Sequence, residues 1–591
     1  MSAPATTADA SVDPILVSVI GKHLENITHE MGIAMTRSTS SPFFQVKDMC
    51  TAILDERARL LCQKEYLPLM AYTFPTMLEA LLKFFGDDVG PGDVFITNDV
   101  FYGGNQAQDL AFFRPLFWEG ALRYWTATKG HQVDLGGPIL GGYNPRAREV
   151  WQETVRIPPL KVYEGGKLRR DVWNLLMENT RLPRLVGRDF QAMIGGCTVG
   201  ERRLQALLQR YGHPSVHAHI DALLDSSEAM MRLEIERLPD GAYQAEASTQ
   251  DDGQDKEAVY TARLAVTIAG SSITFDFSGS DPQAPGWING VYATAFSAAV
   301  CSLFMCVDPL IPRNDGAMRP IRVLLPEGSF LNARYPAASV RGNFTCNDVI
   351  GDSIMKALAQ VMPERVTAGW ARSLTGSIAG IDPRTGEKYY DVMFISNRGG
   401  SGGTQGTDGW SYIGILTLGG GITVQDLEIH ERTKPHFFHE LEFAPDAGGA
   451  GRWRGGLGAH SRFTVFARDT EIVMRGDNSN APFGLFGGRP GRRGECRLEQ
   501  ANGEIVEVQA NELYTLRRAA QIEFFAAGGG GFGNPLERDL DLVADDLRNG
   551  FITPEAAVRD YGAVLNADGS LNHAASAARR GQLRAEVKSG C

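Results

Sequence analysis

Two short stretches gather the side-chain types that do chemistry. The first runs Asn98-Asp99-Val100-Phe101-Tyr102-Gly103-Gly104-Asn105-Gln106 and on to Asp109; the second is His131-Gln132-Val133-Asp134. The His-x-x-Asp step puts an imidazole and a carboxylate on neighbouring turns of a tight loop, and Asp99 and Tyr102 stand at the same spacing. Carboxylate with imidazole suits a divalent cation or a proton-transfer pair. Asp99 and Asp134 equally suit turns, where an aspartate accepts from nearby backbone amides. Spacing alone leaves both readings open.

Other clusters read more plainly. His430, His436, His439 and Glu440 surround an aromatic run, but residues three apart on a strand point to opposite faces, so His436 and His439 cannot share an ion. A packed aromatic strand with half-buried histidines is the expectation. His213, His217 and His219 follow Gly212 at a helix start and read as a solvated cluster. The glycine tracts Arg398–Gly403, Gly419–Gly421, Gly448–Gly458 and Gly528–Gly533 show neither a phosphate-loop pattern nor GxGxxG opening a strand–helix unit. They read as tight turns between strands, and no ATP site is assigned to the chain.

These loops must be held by regular elements. Asp13-Pro14 signals a helix start, followed by a stripe of Ile15, Val19, Ile27, Met31 and Met35, with Leu16, Ile20 and Leu24 alongside. The pattern predicts a helix around Pro75–Phe85 and strands over Asp93–Thr97 and Arg123–Thr128, each ending in polar residues beside glycines. Helix dominates Asp171–Arg237, with Gly200 opening a segment. Strand texture covers Ala242–Ser248 and Ala258–Phe277; helices over Tyr292–Cys306 and Val349–Val361 flank a strand at Ile321–Leu325. Short strands follow at Tyr389–Ile395, Ile413–Leu418, Arg462–Phe466, Glu471–Met474 and Gln521–Phe525, then helices from Leu540 and Pro554. No internal repeat stands out. The expected class is α+β and multi-lobed: an N-terminal region 1–238 carrying the site loops, a mixed region 239–387, a β-rich, glycine-rich region 388–535 and a helical tail 536–591.

Composition narrows the function. The 591 residues carry 58 basic and 70 acidic side chains, a net charge of −12, so no nucleic-acid footprint is present. The most apolar stretch, Ala293–Val307, falls short of the roughly 20 residues a spanning helix needs and reads as a buried helix. Met1–Ala10 lacks a basic and apolar leader. Eight cysteines without a CxxC pair read as reduced structural thiols. A soluble, cytoplasmic protein is expected.

Taken together, the motifs resemble the hydantoinase B/acetone carboxylase alpha-subunit family. Asp93 to Asp99 with Tyr102-Gly103-Gly104 and Asp109, His131 to Gly137, Gly200-Glu201-Arg202-Arg203 and Asp276 to Ser280 carry the resemblance. So do Asn314-Asp315-Gly316, Gly448 to Gly456, Phe483 to Gly488 and Gly533 to Arg538. It spans nearly the whole chain, in order, and implies the family's fold. It also implies a subunit working with a hydantoinase A-like partner that binds ATP with Mg2+ and phosphorylates a carbonyl or amide substrate. The resemblance allows a further small subunit.

The B-type subunit then completes ring hydrolysis of a lactam or hydantoin, or carboxylates an enol phosphate with bicarbonate or CO2. Carried over by position, the family's metal-site residues become Asp99, Tyr102, His131 and Asp134, with Asp48 as an early carboxylate. Tyr102 stands where histidine is usual, Gln106 and Gln132 replace two further histidines, and Met70 another. Neutral tyrosine is a poor ligand for Zn2+ or Mn2+, so weak or no metal binding is expected. Any metal retained would sit on Asp99, His131 and Asp134.

Phe43, Phe44, Phe101, Tyr102 and Trp125 line or adjoin the loops and suit an aryl substrate. The expected activity is therefore that of an acetophenone carboxylase-like subunit, an ATP- and bicarbonate-dependent ketone carboxylase. His131 would shuttle a proton, Asp99 and Asp134 would orient it or the substrate, and Tyr102 would bond the enolate oxygen. Asp48, Gly103, Gly104, Asp109, Phe101 and Trp125 would contact substrate. The alternatives are a subunit of an ATP-dependent cyclic amidase (a lactamase, hydantoinase or oxoprolinase) and a non-catalytic structural subunit.

Overall fold

The computed structural model describes residues 12–39, 41–416, 421–517 and 519–589. The first sheet comprises β1 Met49–Asp55, β2 Leu60–Glu65, β3 Val94–Thr97, β4 Asp109–Trp118, β5 Ala121–His131, β6 Leu160–Glu164 and β7 Lys167–Leu168. Its order is β2-β1-β5-β4-β3-β6-β7, antiparallel throughout. β1 is buried at every position, as expected of a strand covered on both faces, which reads as an apolar run. On one face lie the helices Pro14–Ser38 and Pro183–Tyr211, packed on each other; on the other, Phe74, Met77, Leu78 and Leu81 of the helix Phe74–Phe85 meet Phe95, Phe113 and Trp125.

The helix Pro14–Ser38 starts where expected, with the Asp13 carboxylate accepting from the amide of Ile15. Its buried stripe begins only at Ile20; Ile15 is 75% exposed. Gly200 does not open a helix. It lies inside Pro183–Tyr211, a helix started by proline at its first turn. A Cβ at Gly200 would come 2.6 Å from Met31 Sδ and 2.8 Å from Thr126 Cγ2, so glycine there lets two helices and a sheet close on one another.

The second sheet comprises β8 Gly241–Gln250, β9 Val259–Ala269, β10 Ser272–Asp276 and β11 Ile321–Leu324, in the order β11-β10-β9-β8. Gly270, with φ of +56°, breaks the expected single run into the β9–β10 hairpin. Helices Tyr292–Phe304 and Gly342–Leu358 pack on this sheet around a large apolar core. The apolar stretch from Ala293 is thus a buried helix, and no helix is long and apolar enough to cross a membrane. Its Thr294 and Ser297 hydroxyls donate to the carbonyls of Asn105 (2.8 Å) and Leu69 (2.6 Å), tying it to the first sheet's loops.

The C-terminal strands are β12 Leu374–Ile381, β13 Lys388–Asp391, β14 His436–Phe443, β15 Ala459–Val465, β16 Arg468–Gly476, β17 Glu495–Glu499, β18 Ile505–Glu507, β19 Glu512–Leu516 and β20 Ala520–Phe525. They build two sheets, β13-β12-β16-β19 and β14-β15-β20-β17-β18, with a shared core of Leu374, Ile378, Phe463, Met474, Ile522 and Phe524. Residues 413–416, expected to begin a strand, form none, and 417–420, with two glycines of one tract, lie outside the described residues, as do Met1–Ala10 and Cys591. The other seven cysteines are unpaired. Three helices, Leu540–Arg548, Pro554–Tyr561 and His573–Ser589, close the chain.

Most of the glycine tracts are not turns. Segments around Gly369, Gly400–Gly403, Gly448–Gly456, Gly484–Gly491 and Gly528–Gly531 lie side by side and exchange backbone hydrogen bonds in several directions. Gly529 N donates to Gly456 O, Gly456 N to Ser401 O, Gly403 N to Gly530 O, Gly530 N to Gly369 O and Gly449 N to Gly529 O. A Cβ at Gly529 would fall 1.8 Å from Ser401 O, and one at Gly400 2.0 Å from Gly456 O. Glycine is required here by backbone-to-backbone approach rather than by positive φ.

Candidate active site

Three neighbouring strand ends deliver the chemistry. Asp48 immediately precedes β1, His131 ends β5 and Asp109 begins β4. The antiparallel registers set Met49 opposite Gly130 and Asp109 opposite His131, and the amide of His131 donates to the carbonyl of Asp48 (3.1 Å). His131 Nδ1 lies 2.8 Å from Asp109 Oδ1. The other Asp109 oxygen accepts from Asn105 Nδ2, whose Oδ1 accepts from the buried Lys129 ammonium (3.1 Å). The Asp109 carboxylate thus fixes the ring and leaves Nε2 as the nitrogen free to take or give a proton. Phe43 packs over the imidazole with ring centroids 4.4 Å apart, and Tyr143 lies parallel to it at 6.2 Å.

His131 and Asp48 face a cavity of about 60 Å3. Phe43, Met70, Phe344 and Phe394 make much of its wall apolar; Asn343, Thr375, Arg398 and Arg475 bring polar groups from the other side. Arg475, on β16, lies 3.8 Å from the Tyr143 ring centroid and donates to Ser377. Arg398 donates to the carbonyls of Ile413, Ile422 and Thr423. The Nε groups of both arginines are buried without an acceptor, an arrangement that suits an anionic group on a bound molecule.

Burial dominates the titration of this region. It pushes the Asp48 carboxyl up to about 7, against the opposing pull of His131 and Arg475. One Asp48 oxygen has no hydrogen-bond partner. A buried carboxyl that can be neutral near physiological pH thus lines the same cavity as an imidazole with one unoccupied nitrogen, a composition suited to acid–base chemistry. Burial likewise brings the Lys129 ammonium down to about 8.

The residues singled out in the sequence divide into two groups. His131, Asp109 and Asp48 come together at the cavity, with Met70 and Gln106 in its lining. Gln106 Nε2 donates to Tyr143 Oη and to the carbonyl of Val340, which locks its amide in place. Asp99, Tyr102 and Asp134 do not reach it. Asp99 accepts from Arg156 (2.6 Å) and from the amide of Phe101; Asp134 holds Arg181 and Thr180; Tyr102 packs against Phe84. Phe101 packs edge-on against Tyr335, and Trp125 belongs to the core beneath the sheet. Gly103 seats on the backbone of Thr76 and Met77, and Gly104 packs against the Asp99 backbone. Gln132 turns its amide back onto the carbonyl of Gly130. Arg398, Arg475, Tyr143 and Asn343 carried no sequence signal; they arrive from distant elements.

The donor set does not suit a metal ion. Among the described residues, Asp48, Asp109 and His131 do not bring three ligand atoms within 4.8 Å of one another, nor do Asp99, His131 and Asp134. Asp109 is committed to His131 and Asn105, and position 106 offers a locked amide.

Comparison with known proteins agrees with this architecture. The beta subunit of the caprolactamase of Pseudomonas jessenii is 33% identical over 96% of this chain and 99% of its own length. A putative D-/L-hydantoinase B-type chain of Pseudomonas sp. (strain NS671) is 30% identical over 94% of this chain and 95% of its own. The crystal structure of the ATP-dependent caprolactamase from Pseudomonas jessenii superposes with a TM-score of 0.89, covering 97% of this chain and 100% of that one. Nucleotide-free acetone carboxylase superposes with a TM-score of 0.90 over 98% of this chain and 84% of its own, at 20% identity, a likeness of fold. Residues 13–535, from the cap of the first helix to the end of the glycine-packed segments, match the sequence model of one family, and the chain belongs to it: hydantoinase B/oxoprolinase.

Proposed function

We propose that this chain is the B-type subunit of an ATP-dependent cyclic amidase, opening a lactam or hydantoin ring after a hydantoinase A-like partner has phosphorylated the amide oxygen. The partner would bind ATP and its Mg2+. The observation that carries the reading is the acid–base pair at the cavity: His131, held by Asp109 with Nε2 free, next to Asp48. Hydrolysis needs such a pair. His131 Nε2 takes a proton from the water that adds to the activated carbon, and neutral Asp48 supplies a proton to the ring nitrogen as the C–N bond breaks. The acyl phosphate left behind hydrolyses to the ring-opened acid. Arg398 and Arg475 hold the phosphoryl group, and Phe43, Phe344 and Phe394 enclose the hydrocarbon part of the ring. The identity to a chain of caprolactamase along nearly the full length supports the same reading.

Carboxylation of an aryl ketone enol phosphate is the second reading, favoured by the aromatic wall and by His131 being the one imidazole in the cavity lining. One experiment separates them. The chain reconstituted with its A-type partner is given ATP and either caprolactam or hydantoin, or acetophenone with labelled bicarbonate. ATP-dependent formation of the ring-opened acid is expected; acid-stable label in an organic product, without ring opening, would transfer the assignment to the carboxylase.

A further inference from the structure

We propose that Asp391, His430 and His436 form a buried binding site for a divalent transition-metal ion of the zinc class, separate from the active cavity. Three elements supply the ligands. Asp391 ends β13, His430 sits in the helix Leu427–Thr433, and His436 begins β14. Among the described residues this is the one group of three His, Cys, Asp or Glu side chains whose ligand atoms all lie within 4.8 Å of one another. His430 Nε2 and His436 Nδ1 are 3.0 Å apart, and Asp391 Oδ2 is 4.0 Å from His436 Nδ1. A tetrahedral ion with bonds of about 2.0–2.2 Å wants its ligand atoms roughly 3.3–3.6 Å apart, between those two values. Two imidazoles with one carboxylate is a donor set suited to zinc and its neighbours.

The surroundings are those of a ligand set. Both imidazoles are buried. The nitrogen of His436 that faces away from the cluster, Nε2, is 3.2 Å from the Tyr389 hydroxyl, the kind of outer partner that orients a ligating ring. The two facing nitrogens lie within hydrogen-bond distance of each other, a contact that a cation between them would replace. The nearby cations have acceptors of their own: Lys434 donates to the carbonyl of Tyr390, and Arg384 is paired with Asp382. Next to Asp391 and His430 lies a small cavity of about 20 Å3, closed by Phe43, Val46 and Phe394. It has room for one water as a fourth ligand. Phe43 and Phe394 are also walls of the active cavity, so the ion would clasp helix Leu427–Thr433 and β14 to β13 directly behind that wall. His436 and His439 cannot share this ion; the partners of His436 are His430 and Asp391, from other elements.

The test uses the full-length chain, stripped with a chelator and titrated with Zn2+ by calorimetry. Binding of one ion per chain is expected, and X-ray absorption of the zinc form should show two imidazoles around the metal. The active cavity, with His131 alone, cannot supply two. The paired substitutions His430→Asn and His436→Asn should weaken zinc at least roughly 100-fold, whereas Asp109→Asn should leave it unchanged. Should the paired variant fail to fold, Asp391→Asn and the absorption spectrum of the unaltered chain decide the matter. No binding at micromolar zinc, a single imidazole in the shell, or binding lost in Asp109→Asn and kept in the histidine variants would overturn the site.

Discussion

His131 has one nitrogen occupied and one free, and the occupant is Asp109. Asp109→Asn would keep the shape of that contact but present an amide to Nδ1, loosening control of the tautomer. Ring opening by the reconstituted complex is expected to fall about 10²- to 10⁴-fold in kcat, with the melting temperature changed little by comparison. Asp48 yields a prediction with a sign in pH. Its folded-state pKa is about 7 against 3.8 for the free side chain, so the folded chain keeps a proton that the unfolded chain loses between those values. Stability therefore falls as pH rises through that window and is level above it. Asp48→Asn removes the fall: the variant should melt above the parent at pH 8 and converge with it near pH 4, while losing ring-opening activity at both. At this scale the sequence was half legible. His131 and Asp109 stand out because strand ends and glycine loops concentrate such residues, whereas Asp48 is reached only through the family resemblance. Asp99 and Asp134 carried the same local signature yet serve Arg156 and Arg181, and local spacing contains nothing that separates the two cases. Arg398 and Arg475 are invisible because an arginine beside a glycine tract or on a remote strand looks like any solvated cation until the sheets are assembled.

The elements explain why the site is held so closely. Gly130, one residue before His131 on β5, faces Phe44: a Cβ there would come 2.3 Å from the Phe44 ring. Gly130→Ala must displace Phe44 or bend the strand that carries His131. A loss of about 1–3 kcal/mol in stability together with reduced kcat is expected from denaturant unfolding and steady-state kinetics on the same variant. Gly200→Val should destabilise by a similar mechanism without lowering kcat, since its clashes with Met31 and Thr126 lie away from the cavity. Strands and helices with clear periodicity were legible to within a few residues, as at Phe74–Phe85 and Ile321–Leu324. What pattern could not supply was the reason for a glycine. Gly200 reads in the sequence as the opening of a helical segment, and only the packed neighbours show that it marks a close approach.

At the scale of the molecule, the cavity lies between the ends of the first sheet and the third sheet, so neither half of the chain contains it alone. The glycine segments lock the C-terminal half together, and the buried Arg538, paired with Asp408 and Asp546, fastens the terminal helices to them. Gly529→Ala should abolish soluble folded protein or lower the melting point sharply, because its methyl would enter the Ser401 carbonyl. Gly195→Ala, in a helix with nothing within 4 Å of its Cβ, is the matched control and should be neutral or stabilising by up to about 1 kcal/mol.

The same packing bears on the order of folding. Gly369, Gly400, Gly456, Gly484 and Gly529 are neighbours in space and remote in sequence, so each contact closes a long loop before anything is gained from it. Glycine adds no side chain to collapse around and gives up the most backbone freedom when ordered. These segments are poor nuclei for that reason, and they should come together only after the flanking sheets have formed. In a pulse-labelled refolding experiment their amides should be the last to gain protection from exchange, and a chain interrupted before Gly528 should keep its first sheet while its earlier glycine segments stay open.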